Sequence, residues 1–250
     1  LKFLSETIFH LAAKQMINAN RKIVSDKNFN ALFLLAKKTN FINLDFDIDT
    51  AQKLYPLDMF SAVVLTNSIQ RYGQNERSLF SFLSSKDVNS INNFEPTATK
   101  TYNLANVYDY IIYNFYSYLA EVNTDSANWR AIRVALERTE GVFEMNKIEE
   151  ASKIVKTVGL CNLFGNSINF AKADLCQYAK LALDIEYPEK IIDDLVALKI
   201  IRFAKYRTQY FIFEGTDINI EDELYKAAGI VPRPVDSTLP KLSRTSPNSA

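Results

Sequence analysis

Residues 200–213 read IIRFAKYRTQYFIF, two runs of mostly alternating side chains around a polar centre. The runs cover 200–204 and 209–213, and Lys205-Tyr206-Arg207-Thr208 lies between them. This pattern predicts a β-hairpin with a short turn. Upstream, apolar residues recur at helical spacing in three segments: 146–160, 171–183 and 186–199. Three helices followed by a hairpin is the order of a winged helix, so we expect such a domain over residues 146–228.

The rest of the chain is predicted to be helical. Only 6 Gly and 7 Pro occur in 250 residues, which disfavours a turn-rich β-fold. The fold class is therefore mainly α, with a helical bundle over residues 1–145 before the winged helix. The Pro- and Ser-rich residues 229–250 are expected to be a flexible tail or linker. Apolar periodicity places the bundle helices at 1–20, 27–38, Pro56 to a stop at Gly73, 76–84, 107–119, and 127 to a stop at Gly141.

Bulk composition argues against several classes of protein. The formal net charge is zero, so the whole chain has no electrostatic preference for nucleic acid or an anionic membrane. The two cysteines, Cys161 and Cys176, are too few for a disulfide framework, and we expect a reduced, cytoplasmic protein. With His10 as the single histidine, the residues of a zinc site or a His-based hydrolase are missing. No segment approaches the roughly 20 apolar residues of a membrane span, so we expect no membrane contact.

A polar start marks the helix predicted at 76–84. The sequence around it is YPL at 55–57 and RYGQNERSLFSFL at 71–83. Asn75 is a suitable N-cap, and Glu76 and Arg77 fall in the first turn. From the residues alone, these three positions form a surface network of caps and ion pairs worth about 1 kcal/mol.

The same segment resembles the helical lid of large bacterial P-loop ATPases of the AAA+/STAND type, some of them encoded in phage-defence gene clusters. A second similarity is EGTDINIE at 214–221, which looks like the turn that closes the winged helix in those ATPases. Asp58 and Met59 depart from the family's usual YPLHP.

The resemblance implies that Arg77 acts in nucleotide chemistry. Its guanidinium would reach a γ-phosphate and stabilise developing charge, as a sensor in its own subunit or a finger into the next. Glu76 would orient Arg77, and Asn75 would complete the ATP-binding set. ATP and Mg²⁺ would be held by an upstream P-loop domain, because no G-x-x-x-x-G-K-[ST] motif occurs in the chain. The start at Leu1, without a Met, led us to expect a piece of a longer polypeptide.

Charge distinguishes the two halves of the predicted winged helix. The helix at 186–199 carries four acids against two lysines, so it would repel phosphates. The hairpin carries Arg202, Lys205 and Arg207 with no acid between 201 and 213. These three residues are therefore our candidates for nucleic-acid contact through the wing. The alternative is a winged helix that serves packing or oligomerisation.

These observations favour one function and leave a second open. The first is a non-catalytic, regulatory C-terminal segment of a multidomain AAA+/STAND-like ATPase, which couples nucleotide state to partner, oligomer or DNA engagement. Phage defence is suggested by the resemblance alone. The second is a stand-alone winged-helix regulator that binds DNA or protein. A metal-dependent or hydrolytic enzyme is disfavoured, because no constellation of ligands or nucleophiles is present. A further alternative, an aromatic nucleic-acid platform on the helix at 107–119, lacks interleaved Lys or Arg.

Overall fold

The computed structural model describes residues 27–42, 46–73, 76–84, 88–95, 100–120, 124–165 and 170–213. Side chains at 27, 76, 77, 116–118 and 120 lie outside this description. The helix predicted at 1–20, the EGTDINIE segment and the tail at 229–250 also lie outside it.

The described chain is mainly helical, with one small antiparallel hairpin, as predicted. A short 3₁₀ turn at Ile91–Asn93 lies between the fourth and fifth helices. The elements are α1 (Lys27–Lys38), α2 (Ile48–Lys53), α3 (Met59–Tyr72), α4 (Glu76–Ser84), α5 (Leu104–Ala120), α6 (Ser126–Val142), α7 (Met145–Phe164), α8 (Lys172–Ala182), α9 (Pro188–Ala197), β1 (Ile201–Ala204) and β2 (Gln209–Ile212).

The hairpin has a four-residue turn and a register that pairs Ala204 with Gln209 and Arg202 with Phe211. Its inner side buries Ile201, Tyr210 and Ile212. The order α7–α8–α9–β1–β2 is the helix–helix–helix–hairpin order that the sequence predicts for a winged helix.

The central element is α7, which packs against α3, α5, α6, α9 and β2. Its long buried face includes Ile154, Val155, Val158 and Leu160. Gly159 allows α6 to come close, because a Cβ built there would lie 2.6 Å from Ile132 Cγ1. The helices of the predicted bundle and of the predicted winged helix therefore share a hydrophobic core, and the division at residue 145 stays a prediction.

Two helix boundaries predicted from a proline or a glycine are wrong. Pro56 does not begin α3; the chain continues past it and Asp58 caps the helix, accepting a hydrogen bond of 2.7 Å from the Ser61 N–H. Gly141 does not end α6, because the helix continues to Val142 and the Phe143 N–H donates to the Thr139 carbonyl. Gly73, in contrast, is the C-cap of α3 as predicted.

One short helix was missed. The predicted bundle helices do not include α2, which begins at Ile48. Asp47 starts it by accepting 2.7 Å hydrogen bonds from both the backbone N–H and the hydroxyl of Thr50. An aspartate with a threonine three residues later is a capping pattern that a sequence can show.

Candidate functional site

The predicted nucleotide-sensing residues lie at the start of α4. This helix begins at Glu76, where the sequence predicts it, so Arg77 is in its first turn. Asn75 lies outside the described residues, as do the side chains of Glu76 and Arg77. Gly73 brings the end of α3 against α4, because a Cβ there would lie 2.7 Å from Ser78 Oγ. The roles given to Asn75, Glu76 and Arg77 therefore stay predictions.

Immediately before this turn, Arg71 and Tyr72 join three helices, an arrangement we name the α3 corner (Arg71, Tyr72, Asp125, Trp129 and Phe164). The Tyr72 hydroxyl donates to Asp125 Oδ2 at 2.8 Å and accepts from Trp129 Nε1 at 3.0 Å. Arg71 Nη1 donates to the same Asp125 oxygen at 3.0 Å. Because Asp125 precedes α6, it links the end of α3 to the start of α6.

The α3 corner also reaches the last turn of α7. The Arg71 guanidinium lies 5.1 Å from the centre of the Phe164 ring and donates a long, 3.5 Å hydrogen bond to the Leu163 carbonyl. Burial raises the pKa of Tyr72 to about 12, so the phenol stays a neutral donor. Nothing in the sequence around Arg71 and Tyr72 indicates Asp125 as a partner, 53 residues from Tyr72.

A second polar cluster is buried around Asp58. Its side chain is 0% exposed, and Oδ2 accepts a 2.9 Å hydrogen bond from the Tyr178 hydroxyl of α8. That hydroxyl in turn accepts from the backbone N–H of Leu104, at the start of α5. One carboxyl group thus connects the first turns of α3 and α5 to the middle of α8.

Burial raises the pKa of the Asp58 carboxyl to about 6, although hydrogen bonds from Ser61 and Tyr178 oppose that shift. Burial also raises the pKa of the Cys161 thiol, so this cysteine is an unreactive core residue. A carboxyl sealed from solvent does not reach a substrate, and we interpret the cluster as a structural centre with a pH-dependent stability. No role for Asp58 was predicted from its residue type or its position.

Two of the three wing residues, Arg202 and Arg207, lie near the same aromatic ring of the hairpin. The guanidinium carbons of Arg202 and Arg207 each lie 5.6 Å from the centre of the Phe211 ring, and Arg207 is also 5.6 Å from that of Tyr206. Lys205 and Arg207 are exposed, and Arg202 is half-buried. The structure therefore brings all three predicted nucleic-acid residues onto one short hairpin.

The hairpin is held to α7 by one amide. Asn162 donates through Nδ2 to the Tyr210 carbonyl at 2.8 Å and accepts at Oδ1 from the Ile212 N–H at 3.0 Å. A glutamine or aspartate could not satisfy both groups in the same geometry. The position of β2 on α7 is thus fixed by backbone groups, independently of the outer side chains.

Two of the acids on α9 are paired with lysines of α8. Glu189 receives a 2.6 Å contact from Lys180, and Asp193 pairs with Lys172. These pairs lower the negative charge that α9 presents, but they do not make the helix basic. The wing remains the cationic part of the predicted winged helix.

A groove of about 650 Å³ lies between α1 and the α8–α9 pair. The same two lysines, Lys172 and Lys180, line it beside Ala31, Cys176 and Glu189. The Cys176 thiol is nearly enclosed, and burial raises its pKa. The groove has the size of a ligand pocket, but its lysines already have carboxylate partners.

The helix α5, which contains the aromatic residues of 107–119, is part of the hydrophobic core. Tyr108 and Tyr110 of α5 are 6% and 2% exposed, and the Tyr110 ring packs 4.8 Å from that of Phe82. Rings this deeply buried are not available for stacking on bases, which contradicts the platform alternative for these two residues.

No family model, curated protein or solved structure matches this chain. The similarity to AAA+/STAND ATPases therefore stays a prediction. Across the described ranges, no helix is long and apolar enough to cross a bilayer. In the same part of the chain, no three His, Cys, Asp or Glu side chains converge as metal ligands.

Proposed function

We propose that this protein binds the phosphate backbone of nucleic acid through its hairpin. The observation that supports the proposal is that Arg202 and Arg207 each lie 5.6 Å from the centre of the Phe211 ring, while Lys205 is exposed in the same turn as Arg207. Lysine and arginine contacts to phosphates supply most of the sequence-independent affinity for nucleic acids. Binding of this kind needs a local cationic surface and tolerates a net charge of zero for the whole chain.

The proposed binding does not read sequence through α9. A recognition helix in the major groove needs side chains that face base edges without repelling the phosphates beside them. Glu186 is exposed just before α9, Asp194 is half-buried on it, and Glu189 and Asp193 are shared with lysines of α8. We therefore expect similar affinities for DNA sequences of equal length and charge.

The test compares two double variants with the same loss of charge. Lys205→Gln with Arg207→Gln removes two exposed cations from the turn, and Lys147→Gln with Lys153→Gln removes two from the first half of α7. Binding to labelled DNA of roughly 20 base pairs is measured by fluorescence anisotropy over a series of salt concentrations. We expect the turn variant to lose about tenfold or more in affinity and to lower the salt slope by about 2.

The control variant decides whether the site is local. Its affinity should stay within about twofold of the original protein, since Lys147 and Lys153 form ion pairs with Glu144 and Glu149 away from the wing. Equal losses in the two variants would show that only total charge matters. A wild-type protein that does not bind DNA at about 50 mM salt would refute the proposal itself.

A second proposal follows from the start of α4. This helix begins at Glu76, so Arg77 lies in its first turn, the position to which the resemblance assigns nucleotide sensing. In this proposal the chain regulates an AAA+/STAND-like ATPase, and an upstream P-loop domain holds ATP and Mg²⁺. Oligomer or DNA engagement would then depend on the nucleotide state, in phage defence if the resemblance extends to biology.

Its test is ATP turnover by a polypeptide that joins this chain to its P-loop domain. Arg77→Ala should lower turnover by about tenfold or more while nucleotide binding persists, because the lost interaction forms with developing charge. Arg133→Ala, on the exposed face of α6, is the matched control. Unchanged turnover in the Arg77→Ala protein would mean that Arg77 belongs to a surface network of caps and ion pairs and takes no part in ATP hydrolysis.

A further inference from the structure

We propose that Phe211 holds Arg202 and Arg207 as a paired guanidinium site, so that the wing recognises phosphodiester groups and not bases. This inference rests on the proposed nucleic-acid binding and specifies its ligand chemistry. Phe211 would then be a positioning residue, which acts through the two arginines.

The hairpin register creates the pair. Arg202 on β1 lies directly opposite Phe211 on β2, while Arg207 comes from the turn that precedes β2. Each guanidinium carbon is 5.6 Å from the centre of the same ring, so the two are at most about 11 Å apart. Arg202 from β1 and Arg207 from the turn are thus brought to one aromatic side chain.

Two like charges at this separation repel each other, and one feature of the structure offsets part of that repulsion. The ring face of Phe211 attracts both cations, as in other cation–π contacts. A bound phosphate would add the opposite charge. Duplex DNA carries one negative charge per roughly 1.7 Å of axis, so several phosphates fall within the reach of the pair.

Arg202 also has a donor that the fold does not use. Its Nη1 is enclosed and has no hydrogen-bond acceptor in the described part of the chain. A guanidinium group presents its N–H donors in a planar fork that matches phosphate oxygens. An oxyanion that draws this side chain outward would supply the missing acceptor.

The aromatic rings of the wing are already in contact with other groups. Phe211 is covered by two guanidiniums, Tyr206 by Arg207, and Phe203 packs toward Tyr210 with ring centres 5.0 Å apart. A base that stacked on a ring face where an arginine lies would have to displace that arginine. We therefore expect the rings to align the cations and the phosphates to bind them.

The test uses two single strands of roughly 20 nucleotides, one of thymidines and one with the same backbone but abasic sites throughout. Both are measured by fluorescence anisotropy with the wild-type protein and with Phe211→Leu and Phe211→Tyr. We expect the abasic strand to bind within about twofold of the thymidine strand, because both carry the same phosphates. Phe211→Leu should weaken both strands by about fivefold or more, and Phe211→Tyr should restore binding because it keeps the ring.

Each outcome is decisive. An abasic strand that binds about tenfold or more weakly would show that bases stack on the wing, which overturns this inference and leaves nucleic-acid binding intact. Unchanged binding by a folded Phe211→Leu protein would also overturn it. If the wild-type protein binds neither strand, the proposed function fails with it. The wild-type comparison does not depend on whether Phe211→Leu folds, so the inference is tested in every case.

Discussion

Replacing Asp58 by asparagine removes a titrating group from the middle of the fold, and we expect it to change how stability depends on pH. The asparagine side chain keeps an oxygen that can accept from the Ser61 N–H. Its amide nitrogen can donate to the Tyr178 hydroxyl, which the carboxylate now accepts from. The substitution is close to isosteric, but it reverses the hydrogen bond with Tyr178 as well as removing the charge. The cost of that reversal is the same at every pH, so it does not enter the pH dependence.

The magnitude follows from the pKa. Burial raises the Asp58 pKa from 3.8 to about 6, so the folded state binds a proton more tightly than the unfolded state does. The stabilising contribution of protonated Asp58 is fully present below pH 3.8 and is lost as the pH rises through about 6. A shift of roughly two units corresponds to about 3 kcal/mol in the free energy of unfolding.

The assay is chemical denaturation at a series of pH values from about 4 to about 7.5, followed by the fluorescence of Trp129. Trp129 is the single tryptophan of the chain and is buried in the α3 corner, so its signal reports unfolding cleanly. Other titrating groups act on both proteins and cancel in the difference. Relative to the wild type, Asp58→Asn should gain about 2.5 kcal/mol between the two ends of this range, because a small part of the effect is already lost at pH 4.

A second variant checks the cause. The Tyr178 hydroxyl hydrogen bond lowers the Asp58 pKa, so Tyr178→Phe should raise that pKa further and steepen the loss of stability with pH. A stability difference between wild type and Asp58→Asn that stays constant within about 0.5 kcal/mol over the whole pH range would refute the reasoning. It would mean that water or a rearrangement solvates the carboxylate.

Two further predictions concern packing and the α3 corner. Gly159→Ala should destabilise the protein by about 1 to 3 kcal/mol because the new Cβ meets Ile132, whereas Gly141→Ala, with open space around it, should be neutral or stabilising by up to about 1 kcal/mol. Thermal unfolding of both variants checks this, and equal effects would contradict the close approach of α6 and α7. Asp125→Ala should cost about 2 kcal/mol because the buried Tyr72 hydroxyl loses an acceptor, and Asp125→Asn should cost less than half of that. Denaturation curves decide, and equal losses in the two Asp125 variants would assign the effect to charge instead.

Local patterns predicted most of the elements. The bounds of α1, 27–38, coincide with the predicted ones because its apolar residues form one continuous buried face. The hairpin strands were predicted within one residue at each end, since alternation and a polar turn are both visible in sequence. The predicted end of α6 at Gly141 is wrong because a glycine permits a helix to end but does not require it.

The polar partners could not be predicted, because they depend on contacts between distant parts of the chain. Tyr178 is 120 residues from Asp58, and Asp125 is 53 residues from Tyr72. The three wing cations were identified from composition, yet their alignment on Phe211 depends on the strand register. The role of Arg77 rests on a resemblance and on the start of α4, so it stays a prediction.

The last turn of α7 carries a mechanical consequence. Asn162 holds β2, while Leu163 and Phe164 contact Arg71 at the end of α3. Residues this close on a helix move as one rigid unit of about 5 Å. A ligand that displaced the wing would therefore also displace the last turn of α7, which Arg71 contacts. A movement that began at Gly73 would displace the wing through the same turn. The coupling free energy is the same in both directions: a change at Gly73 alters binding at the wing by as much as binding at the wing alters the equilibrium at Gly73.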